Sequence, residues 1–154
     1  MTILPYSLGE QVTAMRRDWP DFRASLRGFR QERALWIGHV TPQFQCYRLE
    51  IEYNLGMVIQ GPNVRVTSPQ LSRLPGNQEG SLPHVYNVGE DPTLCLFDPD
   101  AEEWSGWMLI SQTIVPWAID WLACYEWWLM TGVWHGGGRH RGTPSIRTIL
   151  ETSR

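Results

Sequence analysis

The sequence contains no lysine, so all 13 of its basic residues are arginines, set against 16 acidic residues. It has only three cysteines, Cys46, Cys95 and Cys124, and no CxxC pair. An odd number of unpaired cysteines argues against a disulfide framework and a zinc site, and we expect neither a metal nor a cofactor. Two uses of the cysteines remain open: one catalytic thiol, or three buried free thiols that only fill space.

The sequence also lacks the patterns of a leader peptide and of a membrane span. Its most apolar stretch, residues 113–134, is interrupted by Pro116, Asp120 and Glu126. We therefore expect a soluble, cytoplasmic protein with no membrane partner. The length of 154 residues suits one compact domain. The predicted division is an N-terminal helical region (1–34), a core (35–133) and a C-terminal tail (134–154).

Arginine is missing from the middle of the chain. Residues 74–138 contain nine acidic residues and no arginine, whereas residues 1–73 contain nine arginines and six acidic residues. Cys95 lies inside this acidic block. A negative field repels phosphates, so the sequence argues against a nucleic-acid partner and favours a basic segment of a partner protein. A solvated acidic surface with no partner is the plain alternative.

Hydrophobic periodicity predicts the first half of the secondary structure. Residues 7–32 place apolar residues at roughly helical spacing, which predicts one helix, or two helices if Pro20 begins a second. Residues 45–54 alternate between apolar and polar side chains, which predicts a half-buried antiparallel strand. Residues 34–42 and 63–69 predict shorter strands. A helix followed by antiparallel strands indicates an α+β domain.

The second half of the chain predicts a long loop and a long helix. Residues 70–92 are rich in Gly, Pro and Asn, and such long loops are uncommon in compact domains unless they serve a function. Apolar residues recur at helical spacing between Thr113 and Gly132, which predicts a helix bounded by these two residues. Residues 127–128 are both tryptophan, so one of them should be exposed. Residues 145–154 predict a short terminal helix.

Cys95 lies at the end of the long loop, in the segment TLCLF, where catalytic groups are often found. This position makes it the candidate nucleophile among the three cysteines. A cysteine–histidine dyad with His84, His135 or His140 stays open, although no spacing supports it.

Several residues recur in the order that ubiquitin-conjugating enzymes show. They are His84, then Cys95 followed by Leu96, then Trp104 and a helix from about Thr113. Each is weak alone, but together their order and spacing make the chain resemble that family. The resemblance implies a UBC-like fold, in which an antiparallel four-stranded meander packs on a long central helix and an N-terminal helix precedes the sheet.

The segments LPHVY, LCLF and WHGGGRH are most similar to the bacterial branch of the family. In particular, they resemble the stand-alone conjugating-enzyme-like proteins of CBASS antiphage operons, which also encode a cyclic-oligonucleotide synthase. The resemblance implies that Cys95 holds the C-terminal tail of the synthase as a thioester and transfers it to an acceptor. A ubiquitin-like protein or a separate activating enzyme is a further implied partner.

The chain departs from the family pattern after the histidine, where conjugating enzymes carry proline and asparagine. Val85 and Tyr86 stand there instead, and Asn87 comes one position late. Tyr86 and Asn87 are therefore both candidate donors to an oxyanion or to the surrounding loop, with His84 as structural support. We expect Cys95 to be solvent-accessible, with one of the two donors within reach of its thiol.

Two other functions stay open. The altered histidine motif also fits a non-catalytic binding module of the same fold. The chain also fits a carrier in a bacterial ubiquitin-like conjugation pathway that has its own modifier protein. The lack of lysine leaves the N-terminus as the only amine of the chain that a carried acyl group could modify.

Overall fold

The computed structural model describes residues 3–136, which form two α-helices and six β-strands. The elements follow in the order α1 (Leu8–Asp18), β1 (Arg23–Arg27), β2 (Arg33–Val40), β3 (Tyr47–Asn54), β4 (Asn63–Ser68), β5 (Val85–Tyr86), β6 (Thr93–Leu94) and α2 (Ile114–Thr131). The terminal helix predicted over residues 145–154, and His140, lie outside the described residues.

The N-terminal helix is shorter than the sequence pattern predicts. α1 begins at a capping box, in which the Ser7 hydroxyl accepts from the Glu10 amide and the Glu10 carboxylate accepts from the Ser7 amide. It ends at Asp18. The prediction of helix as far as residue 32 is wrong, because residues 23–27 form the first strand of the sheet.

The apolar spacing that suggested a second helix does not mark a buried face. Leu26 is 43% exposed and Phe29 is 98% exposed, so neither belongs to the core. Gly28, at a φ of +90°, turns the chain back so that β1 pairs antiparallel with β2. Backbone pairing, rather than a buried apolar stripe, therefore decides the structure of this segment.

The four longer strands form the antiparallel meander that the resemblance implies, in the order β1-β2-β3-β4. The strand predicted over residues 45–54 is confirmed as β3, with its apolar face buried. The residues of that face are Tyr47, Leu49, Ile51 and Tyr53. The sheet packs on α2, where the Tyr125 ring meets the Tyr47 ring edge-on at 6.2 Å between centroids. The α+β class and the UBC-like arrangement are thereby confirmed.

The long helix has the predicted bounds. α2 follows Thr113 and ends at Thr131, just before Gly132, whose φ of +75° is the left-handed conformation that glycine adopts readily at a helix end. Of the adjacent tryptophans, Trp127 is 37% exposed and Trp128 is fully buried, so only one faces the core, as expected. Within residues 3–136, no helix is both long and apolar enough to cross a membrane.

A buried carboxylate on α2 fixes the turn between β2 and β3. Glu126 accepts hydrogen bonds from the backbone amides of residues 43–45 and from the Tyr47 hydroxyl, at 3.0 to 3.3 Å. These four donors fill the acceptor positions of the carboxylate, which compensates for its removal from water. Glu126 therefore ties the sheet to the helix through the turn.

The long loop predicted over residues 70–92 is tied to α2 and ends in a short hairpin. The Ser72 amide donates to the Tyr125 hydroxyl at 2.7 Å, and the Trp128 Nε1 donates to the Asn77 Oδ1 at 3.3 Å. The hairpin pairs β5 with β6 over two residues each. Cys95 is the residue that follows β6. The two hydrogen bonds between the loop and α2 therefore help to fix the position of this cysteine.

Candidate active site

The β5–β6 hairpin places Cys95 beside His84 and Tyr86, two of the residues that the sequence singles out. Val85 pairs with Leu94, and Tyr86 pairs with Thr93. The Cys95 amide then donates to the His84 carbonyl at 3.0 Å, which extends the hairpin by one more bond. The turn-forming residues between the two strands allow this reversal.

The thiol of Cys95 is covered. Its Sγ lies 3.4 Å from the Tyr86 Oη and 3.8 Å from the Phe97 carbonyl oxygen, and the residue is only 7% exposed. The expectation of a solvent-accessible cysteine is therefore wrong, because the thiol packs against Tyr86 of the hairpin and against the Phe97 carbonyl. The expectation that one of the two candidate donors lies within reach is confirmed for Tyr86. Tyr86 is 46% exposed, so it links the buried thiol to the surface.

Burial and neighbouring carboxylates favour the neutral thiol. Removal from water contributes most to raising the pKa of Cys95, and the carboxylates of Asp98 and Glu103 raise it further. The Tyr86 hydroxyl acts in the opposite direction, since it can donate a hydrogen bond to the thiolate. The pKa of Tyr86 is itself raised, mainly by burial, so its hydroxyl keeps its proton at neutral pH.

His84 contributes its backbone to the site. Its φ is +55°, an uncommon left-handed conformation for a residue with a side chain. Its carbonyl accepts from the Cys95 amide and, at 2.9 Å, from the Trp121 Nε1. Its ring packs on Trp134 at 5.0 Å between ring centroids. In this position His84 connects the cysteine to α2.

Asn87 also has a left-handed backbone, with a φ of +54°. Its carbonyl accepts from the Glu90 amide at 3.3 Å, so it begins the turn between β5 and β6. The side chain is exposed. Of the two candidate donors, Tyr86 is thus the one that meets the thiol, and Asn87 shapes the turn.

The other two cysteines lie away from the hairpin. Cys46 is exposed in the turn before β3. Cys124 is buried within α2, where its Sγ donates to the His135 carbonyl at 3.2 Å. Burial, with a smaller effect of Asp120, raises the pKa of Cys124 to about 12, which makes it an inert thiol. His135 therefore meets Cys124 through its backbone.

Sequence reasoning missed Trp134. The predicted division places it in the C-terminal tail, yet it is buried and packs on Trp121 at 5.1 Å as well as on His84. The available signal was a large aromatic residue just before a glycine-rich segment, where solvated residues are the rule.

The fold and the site together define a conjugating-enzyme-like protein with one covered cysteine at the end of a short hairpin. A sequence model of the family described as "Type II CBASS E2 protein" matches residues 11–141. The match covers most of the chain, so the protein belongs to this family of E2-like proteins of CBASS antiviral defence. No curated protein matches the chain.

Proposed function

We propose that this protein is an acyl carrier, in which Cys95 forms a thioester with the C-terminus of a partner protein and passes the acyl group to an acceptor. The observation that carries the proposal is the 3.4 Å contact between the Cys95 Sγ and the Tyr86 Oη in a chain of this family. The partner we propose is the cyclic-oligonucleotide synthase of the same operon, and the cytoplasm is the proposed location.

The reaction requires a carboxyl group that another protein has already activated. In the first step, the Cys95 thiolate attacks the carbonyl carbon of an acyl adenylate or of a thioester, and AMP or a thiolate leaves. In the second step, an amine attacks the new thioester, the Cys95 thiolate leaves, and the proton of the amine passes to a base. Neither step changes an oxidation state, so no redox cofactor takes part.

Tyr86 supplies the donor that conjugating enzymes of the usual pattern take from asparagine. Because its hydroxyl stays protonated and lies against the sulfur, it is within reach of the carbonyl oxygen of an acyl group carried there. Loss of a preorganised oxyanion donor costs roughly 10²–10³-fold in rate. Transfer between two thiols depends less on this donor, since a thiolate is a good leaving group.

The test is a conjugation assay with the purified synthase from the same operon, prepared with a C-terminal thioester so that its carboxyl group is already activated. Samples of the wild-type protein, Cys95→Ala, Cys95→Ser and Cys46→Ala are separated on non-reducing gels and analysed by intact mass. Cys46→Ala is the matched control, because it removes an exposed thiol outside the hairpin.

We expect an adduct with the wild type and with Cys46→Ala, and none with Cys95→Ala. Hydroxylamine should release it, and its mass should be the sum of the two proteins less one water, which separates a thioester from a disulfide. Cys95→Ser should trap a thiol-resistant ester.

The alternative functions predict other outcomes. Tight association with the synthase, retained in Cys95→Ala and without any adduct, would replace the carrier with a non-catalytic binding module. An adduct that forms only with a ubiquitin-like protein would assign the chain to a separate conjugation pathway.

A further inference from the structure

The segment that follows α2 is fastened to the loop that precedes the active-site hairpin. The Asn77 Nδ2 donates to the Gly132 carbonyl at 2.7 Å, and the Trp134 amide donates to a Glu79 carboxylate oxygen at 3.0 Å. The His84 ring packs on the Trp134 ring at 5.0 Å between centroids. We call these five residues the clasp. Its contacts join two segments that are far apart in the sequence. Each of the two hydrogen bonds links residues 55 positions apart.

His84 connects the clasp to Cys95. His84 meets Trp134 with its ring, while its carbonyl accepts from the Cys95 amide at 3.0 Å and from the Trp121 Nε1 at 2.9 Å. Trp134 also packs on Trp121 at 5.1 Å. Trp134 and Trp121 therefore hold His84 by its side chain and its backbone, one residue before β5.

The hairpin strand that bears Tyr86 needs such support. It is only two residues long, and residues with left-handed backbones stand on both sides of it, His84 at +55° and Asn87 at +54°. Residues with a Cβ are uncommon in this conformation and persist only where the surroundings impose it. Contacts that hold His84 in this conformation come from the clasp and from Trp121.

We infer that Trp134 is a positioning residue for the active site: by holding His84 in its left-handed turn, it keeps the Tyr86 hydroxyl on the Cys95 thiol. This inference rests on Cys95 as the reactive group. The reactivity of Cys95 should therefore depend on Trp134, whose described contacts include His84, Trp121 and Glu79. Loosening the clasp should release the hairpin and uncover the thiol.

The test measures alkylation of the full-length protein by iodoacetamide, with the three cysteines resolved by peptide mass spectrometry. Cys46 is exposed and reports the intrinsic rate of the reagent. Cys124 is buried in α2 and its Sγ meets the His135 carbonyl, so its alkylation reports detachment of the whole segment after α2, while far-UV circular dichroism reports loss of the fold. No partner protein is needed, so the outcome is independent of whether a thioester forms with the synthase.

Trp134→Ala should raise the alkylation rate of Cys95 about tenfold, as expected for local opening, while Cys46 is unchanged and Cys124 stays protected. Trp134→Phe should restore a rate near that of the wild type, since a ring still packs on His84. Trp127→Ala, which removes an exposed tryptophan from α2, is the matched control and should have no effect.

A double-mutant comparison with Tyr86 distinguishes a positioning role of Trp134 from a merely structural one. In the otherwise wild-type protein, Tyr86→Phe should slow the alkylation of Cys95. In the Trp134→Ala background, it should change the alkylation rate by less than about twofold. If Trp134→Ala exposes Cys124, His84→Ala replaces it, because alanine removes the ring that packs on Trp134 and keeps the Cβ that disfavours the left-handed turn. An alkylation rate of Cys95 within about twofold of the wild-type rate, in a folded Trp134→Ala or His84→Ala protein, overturns the inference.

Discussion

The hydroxyl of Tyr86 lies 3.4 Å from the sulfur of Cys95. The pair is asymmetric, because Cys95 is almost completely covered whereas Tyr86 is nearly half exposed. Burial and carboxylates raise the pKa of the thiol, and the phenol is the group that lowers it. Removing the phenol oxygen alone should therefore make the thiol less reactive.

Tyr86→Phe should slow the alkylation of Cys95 at neutral pH roughly tenfold, the size expected for a hydrogen bond to a charged sulfur. The pKa of the thiol rises when the donor is lost, so the rate profile should move to higher pH. The measurement is the rate against pH, with Cys46 as the internal control. An unchanged profile, or one moved to lower pH, would show that the hydroxyl does not stabilise the thiolate.

Glu103→Gln should act in the opposite direction. The Glu103 carboxylate raises the pKa of Cys95, so its neutralisation increases the thiolate fraction and should speed alkylation about twofold at low salt. The gain should shrink as the ionic strength increases. Glu102→Gln is the matched control, since the neighbouring carboxylate is not among the groups that shift this pKa. Equal effects of both substitutions would indicate a general charge effect instead.

The elements that could be predicted from sequence are those in which a periodic pattern and burial agree. β3 alternates without interruption, and its inward face is buried, so local pattern and packing give the same answer. α2 likewise combines helical spacing with a C-terminal glycine. β1 has no such agreement, because its residues are mostly exposed and its structure depends on pairing with β2.

The candidate site could be predicted only in part. The position of Cys95 after a turn-rich loop, with Tyr86 nine residues earlier, is visible in the sequence. The covering of the thiol is not, since it depends on the Phe97 carbonyl and on a hairpin of two residues per strand. The packing of Trp134 on His84 is a contact between distant segments, and no local pattern encodes it.

Glu126→Gln should lower the free energy of unfolding by roughly 1–3 kcal/mol. The carboxylate accepts four hydrogen bonds, whereas a neutral amide would turn an NH₂ group towards at least one of the same donors. Urea denaturation measures the change. Glu52→Gln, on the half-exposed face of β3, should stay within about 0.5 kcal/mol of the wild type. A Glu126 variant as stable as this control would mean that the turn does not need the charge.

Acid stability should depend on Asp18. Its carboxylate accepts from the Arg17 guanidinium at 2.8 Å and from the Ser111 hydroxyl at 2.7 Å, and these bonds lower its pKa from 3.8 to about 2. The unfolded chain therefore takes up the proton first as the pH falls. The stabilising contribution is complete above the unfolded value and is lost between about pH 4 and about pH 2.

Asp18→Asn should accordingly reduce the loss of thermal stability over that pH interval, compared with the wild type. Thermal unfolding followed by circular dichroism at several pH values measures the slope. Glu52→Gln is the control, because it removes a carboxylate from the half-exposed face of β3 and leaves the bonds of Asp18 in place. If the Asp18 variant keeps the wild-type slope, then the acid sensitivity has another source and the bonds to Arg17 and Ser111 do not contribute to it.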